Sequence, residues 1–290
     1  MAGMVRREPR RRMLTDVRHL AVWGDPIDHS RSPLLHAAAY RELGLPWEYG
    51  RRRVSEAGFP QALAERDATW RGLSLTMPLK HAAAAAAVSL DEDARRTGAV
   101  NTLLLTDDGP HGFNTDVEGL ARALWEIGVN APRRVRILGA GATATSAVAA
   151  AVRLGAGGVE IRARRPDAAA PLVALAETLD TPVVVAPLDE PDPGPVDVTI
   201  ATLPGGTDLG HAAEDLASVG GPLVDVVYGG WPTPLARAWD RAGRPAHDGL
   251  GMLLHQALLQ VRVFVGGDPS VPLEREDAVL AAMRTAVMGG

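Results

Sequence analysis

Cysteine is absent from the 290 residues, which excludes disulfides, thiolate zinc sites and cysteine nucleophiles. Lysine is almost absent. Of the 30 basic side chains, all but Lys80 are arginine. Any step that needs an amine of adjustable pKa therefore falls to Lys80 or the N-terminus. Aromatics make up only 4%, and asparagine occurs only at Asn101, Asn114 and Asn130. There is no basic excess: 30 basic against 35 acidic residues give a net charge of −5. That excludes a chain that coats nucleic acid by neutralising phosphates. No apolar run approaches the roughly 20 residues of a membrane helix. The basic start MAGMVRREPRRRM is followed by no apolar h-region, so it is not a secretory signal. A cytoplasmic protein without membrane or nucleic-acid partners is expected. Residues 1 to about 16 read as a solvated basic tail or an upstream start, with Met4 and Met13 as other starts.

The length suits one or two domains, and 46% hydrophobic with 22% charged residues suits a globular fold. In the first half, strands are expected at Leu20–Gly24, Trp47–Val54, Gly72–Thr76 and Ala99–Leu105, with a turn at Asp107-Asp108-Gly109. Helices are expected over Pro33–Leu43, with Ser32 as N-cap, near Glu56–Arg66, after Lys80, and through DEDARR. The second half alternates more cleanly. Strand Arg134–Gly139, helix Thr143–Leu154, strand Val159–Arg164 and helix Pro166–Leu179 precede three further strands, VVVA, DVTIAT and LVDVVY. This βαβ spacing predicts a parallel sheet. Two helices, Gly249–Val265 and Pro272–Met288, follow.

Gly139-Ala140-Gly141-Ala142-Thr143-Ala144 is a G-x-G-x-x-A motif between a strand and a helix. The first glycine permits the tight turn, and the second lets backbone approach a pyrophosphate. The small third residue lets the helix pack on the sheet. The alternative is a glycine-rich structural turn. An NAD site would place an acidic residue at the end of the next strand. Here that end reads Ala163-Arg164-Arg165, and Glu160 lies inside the strand. Arginines there suit the 2′-phosphate of NADP, unless they are merely solvated.

Three polar clusters stand at strand ends: Asp28-His29-Ser30-Arg31-Ser32, Thr76-Met77-Pro78-Leu79-Lys80, and Asn101-Thr102 with Asn114-Thr115-Asp116. Singly, each has a bland reading as a cap, a surface charge or a turn. His29, His111, His247 and His255 lie near the motifs without metal-ligand spacing, so no metal is expected.

Taken together and in order, the stretches GDPIDHSRSPLLHAAAY, GLSLTMPLK, GAVNTLL, GFNTDVEGL, ILGAGATA, DVVYGGWPTPL and DGLGMLLHQALLQ resemble the shikimate dehydrogenase family. The resemblance implies a two-domain α/β fold. A substrate domain would comprise residues 1–115 plus 250–290, its last helices returning to it. A Rossmann-type NADP domain would comprise 116–249. It further implies that Lys80 and Asp116 are catalytic and that Ser30 and Ser32 bind a substrate carboxylate. Thr76, Asn101, Asp116 and Gln256 would contact ring hydroxyls, and Tyr228 would lie near the substrate. Gly139, Gly141, Ala142, Thr143, Arg164, Arg165, Thr202, Gly249 and Met252 would line the cofactor.

The implied activity is reversible, NADP-dependent reduction of 3-dehydroshikimate to shikimate, on the route to chorismate and the aromatic amino acids, by a monomer or homodimer. A ketone reduced by hydride also needs a proton, which lysine can give and arginine cannot. Two features depart from the family pattern: Ser74 stands where asparagine is usual, and Ala163-Arg164-Arg165 stands for Asn-Arg-Thr. Alternatives are a quinate- or aminoshikimate-type dehydrogenase, disfavoured by the Ser30/Ser32 pair, and a non-catalytic NADP-binding sensor, disfavoured by Lys80 with Asp116. A folate-linked dehydrogenase is disfavoured by the HSRS and NTD blocks.

Overall fold

A computed structural model describes residues 16–191 and 194–288; the expected basic tail, through residue 15, lies outside the described residues. In chain order the elements are β1 (His19–Gly24), α1 (Ser32–Glu42), β2 (Glu48–Arg53), α2 (Phe59–Ala64), β3 (Trp70–Leu75), α3 (Lys80–Ala86), β4 (Ser89–Leu90), α4 (Glu92–Thr97), β5 (Thr102–Thr106), β6 (Gly109–Phe113) and α5 (Thr115–Glu126). There follow β7 (Val135–Leu138), α6 (Ala142–Arg153), β8 (Val159–Ala163), a 3₁₀ turn (Pro166–Ala169), α7 (Ala170–Thr178), β9 (Val183–Pro187) and β10 (Val198–Ala201). The last are α8 (His211–Val219), β11 (Leu223–Asp225), α9 (Pro234–Arg241), β12 (Ala246–His247), α10 (Leu250–Gly266) and α11 (Glu276–Met288). The chain divides into two compact units. Unit 1 holds residues up to 94, 98–115 and from 257 onward, and unit 2 holds 95–97 and 116–256.

Unit 1 is built on a mixed sheet of order β2-β1-β3-β5-β6-β4. β1 pairs parallel with β2 and β3, whereas β5 runs antiparallel to both β3 and β6. Its core packs Trp23, Phe59, Leu73, Leu75, Leu79, Val100 and Leu103. Parallel register puts the ends of β1 and β3 on one edge of the sheet. Because β5 is antiparallel, with Ser74 opposite Thr102 and Thr102 opposite Phe113, its beginning and the end of β6 lie on that edge too. All three polar clusters of the sequence therefore leave the sheet on the same side.

Unit 2 carries an all-parallel sheet of order β12-β11-β10-β7-β8-β9. Strands β7, β8 and β10 are buried throughout, as expected where both faces are covered. The strand order reverses between β7 and β10, the switch point where ligands enter such sheets.

Some expectations about elements change. Helix α1 starts at Ser32 itself, with Arg31 as N-cap. The Arg31 carbonyl accepts from Leu34 and Leu35, and the Ser32 N–H turns back to Ser30 Oγ at 3.3 Å. The helix expected near Glu56–Arg66 shortens to α2, with Pro60 in its first turn. The helix expected over Pro166–Leu179 begins as a 3₁₀ turn, because Pro171 has no N–H to bond the Asp167 carbonyl, which accepts from Ala170 instead. Helices α5, α8 and α9 and the two-residue strands β4 and β12 were not anticipated.

Candidate functional site

The unit 1 edge is assembled by backbone bonds between its loops. Thr76 N–H donates to Trp23 O at 2.9 Å, and Asp25 N–H donates to Met77 O at 2.9 Å. Gly24 is required here, because a Cβ would overlap the Thr76 methyl and press on Met77 O. The two loops are thus in direct contact. Lys80, half-buried, opens α3, and its carbonyl accepts from Val100 N–H at 3.0 Å, which places Asn101 next to it in register. The Asn101 Oδ1 accepts from Thr115 N–H at 2.9 Å and from Thr102 Oγ1 at 2.8 Å, and its Nδ2 donates to Thr115 Oγ1 at 2.9 Å. Those bonds hold the start of α5, whose first turn carries Asp116. Ser30, Ser32, Thr76, Lys80 and Asn101 therefore share one edge of unit 1, and Ser30, Ser32 and Asn101 are buried there.

Sequence reasoning missed the polar network behind this edge. The Ser74 hydroxyl accepts from Tyr49 Oη at 2.6 Å and donates to Gln260 Oε1 at 2.7 Å. His36 Nε2 also meets Gln260 Oε1, at 3.2 Å, and its ring stacks on Tyr49 with centroids 3.9 Å apart. Burial holds His36 down at about 3 against the opposing bond to Gln260, so the ring is neutral. Burial also pushes the Tyr49 phenol upward. Ser74 thus gives its one proton to Gln260 and accepts from Tyr49. The signal for this was weak, since Ser74 and Gln260 lie 186 positions apart.

A groove of about 1110 Å³ elsewhere in unit 1 is lined by Arg18, Arg66, Trp70, Arg71, Leu105 and Thr106. It lies at the opposite strand ends, away from the polar clusters.

In unit 2, Gly139 follows β7 at φ +117°, and a Cβ there would overlap Thr202 Oγ1. Thr202, after β10, is tied to the end of β7 by N–H and Oγ1 bonds to Leu138 O at 2.8 and 2.9 Å. Gly139 and Thr202 thus meet at the switch point. Gly141 differs: a Cβ on it would meet nothing within 4 Å. Protein packing does not demand that glycine, and its bare backbone faces open space. It is the N-cap of α6, whose first turn contains Ala142 and Thr143, and as a glycine it brings no side chain to cap that turn. Ala144 is fully buried against the sheet. These features fit a pyrophosphate. Arg164 and Arg165 are exposed beyond β8. Glu160, by contrast, is buried inside β8 and held by Arg136 at 3.1 Å and Arg162 at 2.6 Å, so it offers nothing to a ribose.

Gly249 must also be glycine, because a Cβ would overlap Val226 O. Met252 sits in the unit 2 core, Tyr228 is half-buried in the loop after β11, and Gln256 is buried on α10 against Gly119. Asp225, at the end of β11, was not anticipated. Burial raises its carboxyl, while Thr233 Oγ1 at 2.8 Å and Val227 N–H at 3.2 Å partly offset this. Among the described residues no group of His, Asp and Glu could hold a metal ion. No helix among them is long and apolar enough to cross a membrane.

Residues 22–103 match the family model described as the shikimate dehydrogenase substrate binding domain. A shikimate dehydrogenase (NADP(+)) of Anaeromyxobacter sp. strain Fw109-5 is 39% identical, over 84% of this chain and 90% of its own. The crystal structure of Mycobacterium tuberculosis shikimate dehydrogenase is 35% identical, with TM-score 0.78, covering 92% of this chain and 99% of that one. The shikimate 5-dehydrogenase of Thermus thermophilus, solved in complex with NADP(H) and shikimate, is 31% identical with TM-score 0.75, covering 93% and 99%. With a shared fold in both units and identities of this size along nearly its whole length, the chain belongs to the shikimate dehydrogenase family.

Proposed function

We propose that this protein catalyses the reversible, NADP-dependent reduction of 3-dehydroshikimate to shikimate, in the cytoplasm, as a monomer or homodimer. The observation that carries this reading is the 39% identity to a shikimate dehydrogenase (NADP(+)) in a chain that keeps its one lysine at the shared polar edge of unit 1. Residues 1–115 plus 250–290 take the substrate, and residues 116–249 take NADP. Ser30 and Ser32 recognise the carboxylate, and Thr76, Asn101 and Gln256 the ring hydroxyls, with Tyr228 nearby. Buried hydroxyl recognition of this kind rejects analogues that lack a hydroxyl, because the protein partners would be left unpaired.

NADP fits the residues present. The Gly139–Thr143 turn, with Thr202 beside it, offers bare backbone and a helix N-terminus to the pyrophosphate. Arg164 and Arg165 offer guanidinium groups to the 2′-phosphate, and Gly249 and Met252 border the nicotinamide end. When bound, the reduced cofactor supplies the hydride. Lys80 gives the accompanying proton to the carbonyl oxygen and takes it back in the reverse direction. Asp116 accepts from the neighbouring hydroxyl and orients the ammonium.

The test is a substrate panel of shikimate, quinate and an aminoshikimate with NADP and with NAD. Turnover is expected to be fastest for shikimate with NADP. Folded protein that binds NADP and turns over none of them would refute the enzyme reading. Preference for quinate would move the protein to the sibling activity.

A further inference from the structure

In unit 2, β10 and β11 run parallel with Ala201 opposite Asp225, so Asp225 stands at the strand ends next to Thr202. The arc 226–233 leaves the sheet there and leads into α9. It springs from two buried feet, Asp225 and Thr233, while Gly229 and Gly230 in its middle are exposed. Trp231 packs on the core, but the two glycines bring no side chain to hold the arc. One carboxylate bonds both ends. Asp225 Oδ1 accepts from Val227 N–H at 3.2 Å, and Oδ2 accepts from Thr233 Oγ1 at 2.8 Å. Thr233 Oγ1 accepts in turn from Ala236 N–H at 3.1 Å and caps α9.

Two residues of the site depend on this arrangement. Tyr228 lies inside the arc, next to the Val227 N–H that Asp225 holds. Gly249 N–H donates to Val227 O at 3.0 Å, and Val226 O fills the place of a Gly249 Cβ. A shift of Val227 therefore moves the start of Tyr228 and the carbonyl to which Gly249 is bonded. The carboxylate itself is costly here. Asp225 is 4% exposed, and among the described residues no cation pairs with it. Burial raises its carboxyl and nearby Asp248 adds to this, against the bonds from Thr233 and Val227. A buried carboxylate without a counter-charge disfavours folding. Both bonds that offset this go to the ends of the arc.

We propose that Asp225 is a positioning residue that fixes the arc 226–233, and through it the places of Tyr228 toward the substrate and of Gly249 toward the nicotinamide end of NADP. The proposal rests on the reading of Tyr228 and Gly249 as site residues and names the group that places them. Asp225 acts through Val227 and Thr233.

Two measurements on the full chain test this, with folding checked by circular dichroism. The first is cofactor binding without substrate. Asp225→Ala is expected to weaken NADPH about three- to tenfold, the scale of one hydrogen bond. Adenosine 2′,5′-bisphosphate, which carries the 2′-phosphate but no nicotinamide, should bind as before. Equal weakening of both, or of neither, overturns the proposal. The second is KM for shikimate at saturating NADP. Asp225→Ala and Tyr228→Phe are each expected to raise it, with a smaller change in kcat, and the double variant should be little worse than the poorer single one. Effects that multiply would mark general damage and overturn the proposal. Thr233→Val removes one of the two bonds without altering Asp225, and Thr233→Ser restores it, so the test survives if Asp225→Ala does not fold. KM is expected to rise in the valine variant and return in the serine variant; equal values in the two overturn the proposal. If the unaltered protein turns over no shikimate, the enzyme reading fails, and the cofactor comparison still decides the role of Asp225.

Discussion

The substitution Glu160→Gln tests how unit 2 is held together beside its dinucleotide turn. Glu160 is 3% exposed, at hydrogen-bond distance from Arg136 at 3.1 Å and Arg162 at 2.6 Å, with Arg134 at 3.4 Å. Arg136 is fully buried, and its Nε and Nη1 have no hydrogen-bond partner in the structure. An amide in place of the carboxylate leaves buried guanidinium groups with no counter-charge. Breaking a buried pair in this way costs about 3–5 kcal/mol. At roughly 2–4 °C per kcal/mol for a unit of this size, Tm is expected to fall by about 6–20 °C. Arg134 is nearly half exposed and adds little.

Urea unfolding followed by circular dichroism measures the loss. Burial alone would raise the Glu160 carboxyl, but the bonds and charges of Arg136 and Arg162 outweigh it and hold it below the ordinary value. A carboxyl depressed in the folded state contributes stability in full above its unfolded pKa of about 4.3. That contribution is lost as pH falls through the folded value. The gap between the unaltered protein and Glu160→Gln should therefore be constant from pH 8 to about 5 and close in stronger acid. A gap below about 1 kcal/mol at pH 7, or one that widens in acid, would refute the reasoning.

Lys80→Ala is expected to lose most of kcat with a smaller change in KM, and Lys80→Arg to fare no better, because a guanidinium keeps the charge but does not release its proton. Steady-state rates with 3-dehydroshikimate and NADPH decide it; an unchanged kcat would reduce Lys80 to a surface charge. Arg164→Ala should weaken NADP about tenfold or more while leaving NAD affinity nearly intact, as judged by titration of both cofactors. Equal weakening of both would remove the 2′-phosphate argument.

Most strands of the second half were legible because each is a short run rich in β-branched residues and the turns between them carry glycine or proline. What escaped was context. Helix α5 begins inside the polar block Asn114-Thr115-Asp116, which draws attention as a motif and conceals a helix start. Strands β4 and β12 span two residues each, too few to show any alternation. Ser32 is the residue type of an N-cap, yet it is the first residue of the helix and Arg31 takes the cap position. The residues of the polar edge could be named from sequence, because each sits at a strand end marked by a turn. The series behind them could not. His36 reads as one more position on a helix, Gln260 as one more on another, and only the fold brings them together. Ser74 stood out in the sequence only as a departure from asparagine; in the structure it bonds Tyr49 and Gln260.

The division of the chain has a consequence in time. Unit 1 uses the first stretch of the polypeptide and also everything after residue 256, whereas unit 2 is largely one stretch, 116–256. At about 5–20 residues per second, the ribosome needs roughly 7–28 s to make the intervening segment. Throughout that interval the sheet of unit 1 exists without Phe264, which packs over Gly72, and without Gln260, which orients Ser74. Unit 2 can close while the first-made strands still wait. The residue that joins Ser74 to His36 is thus among the last to be added to the unit it helps to hold.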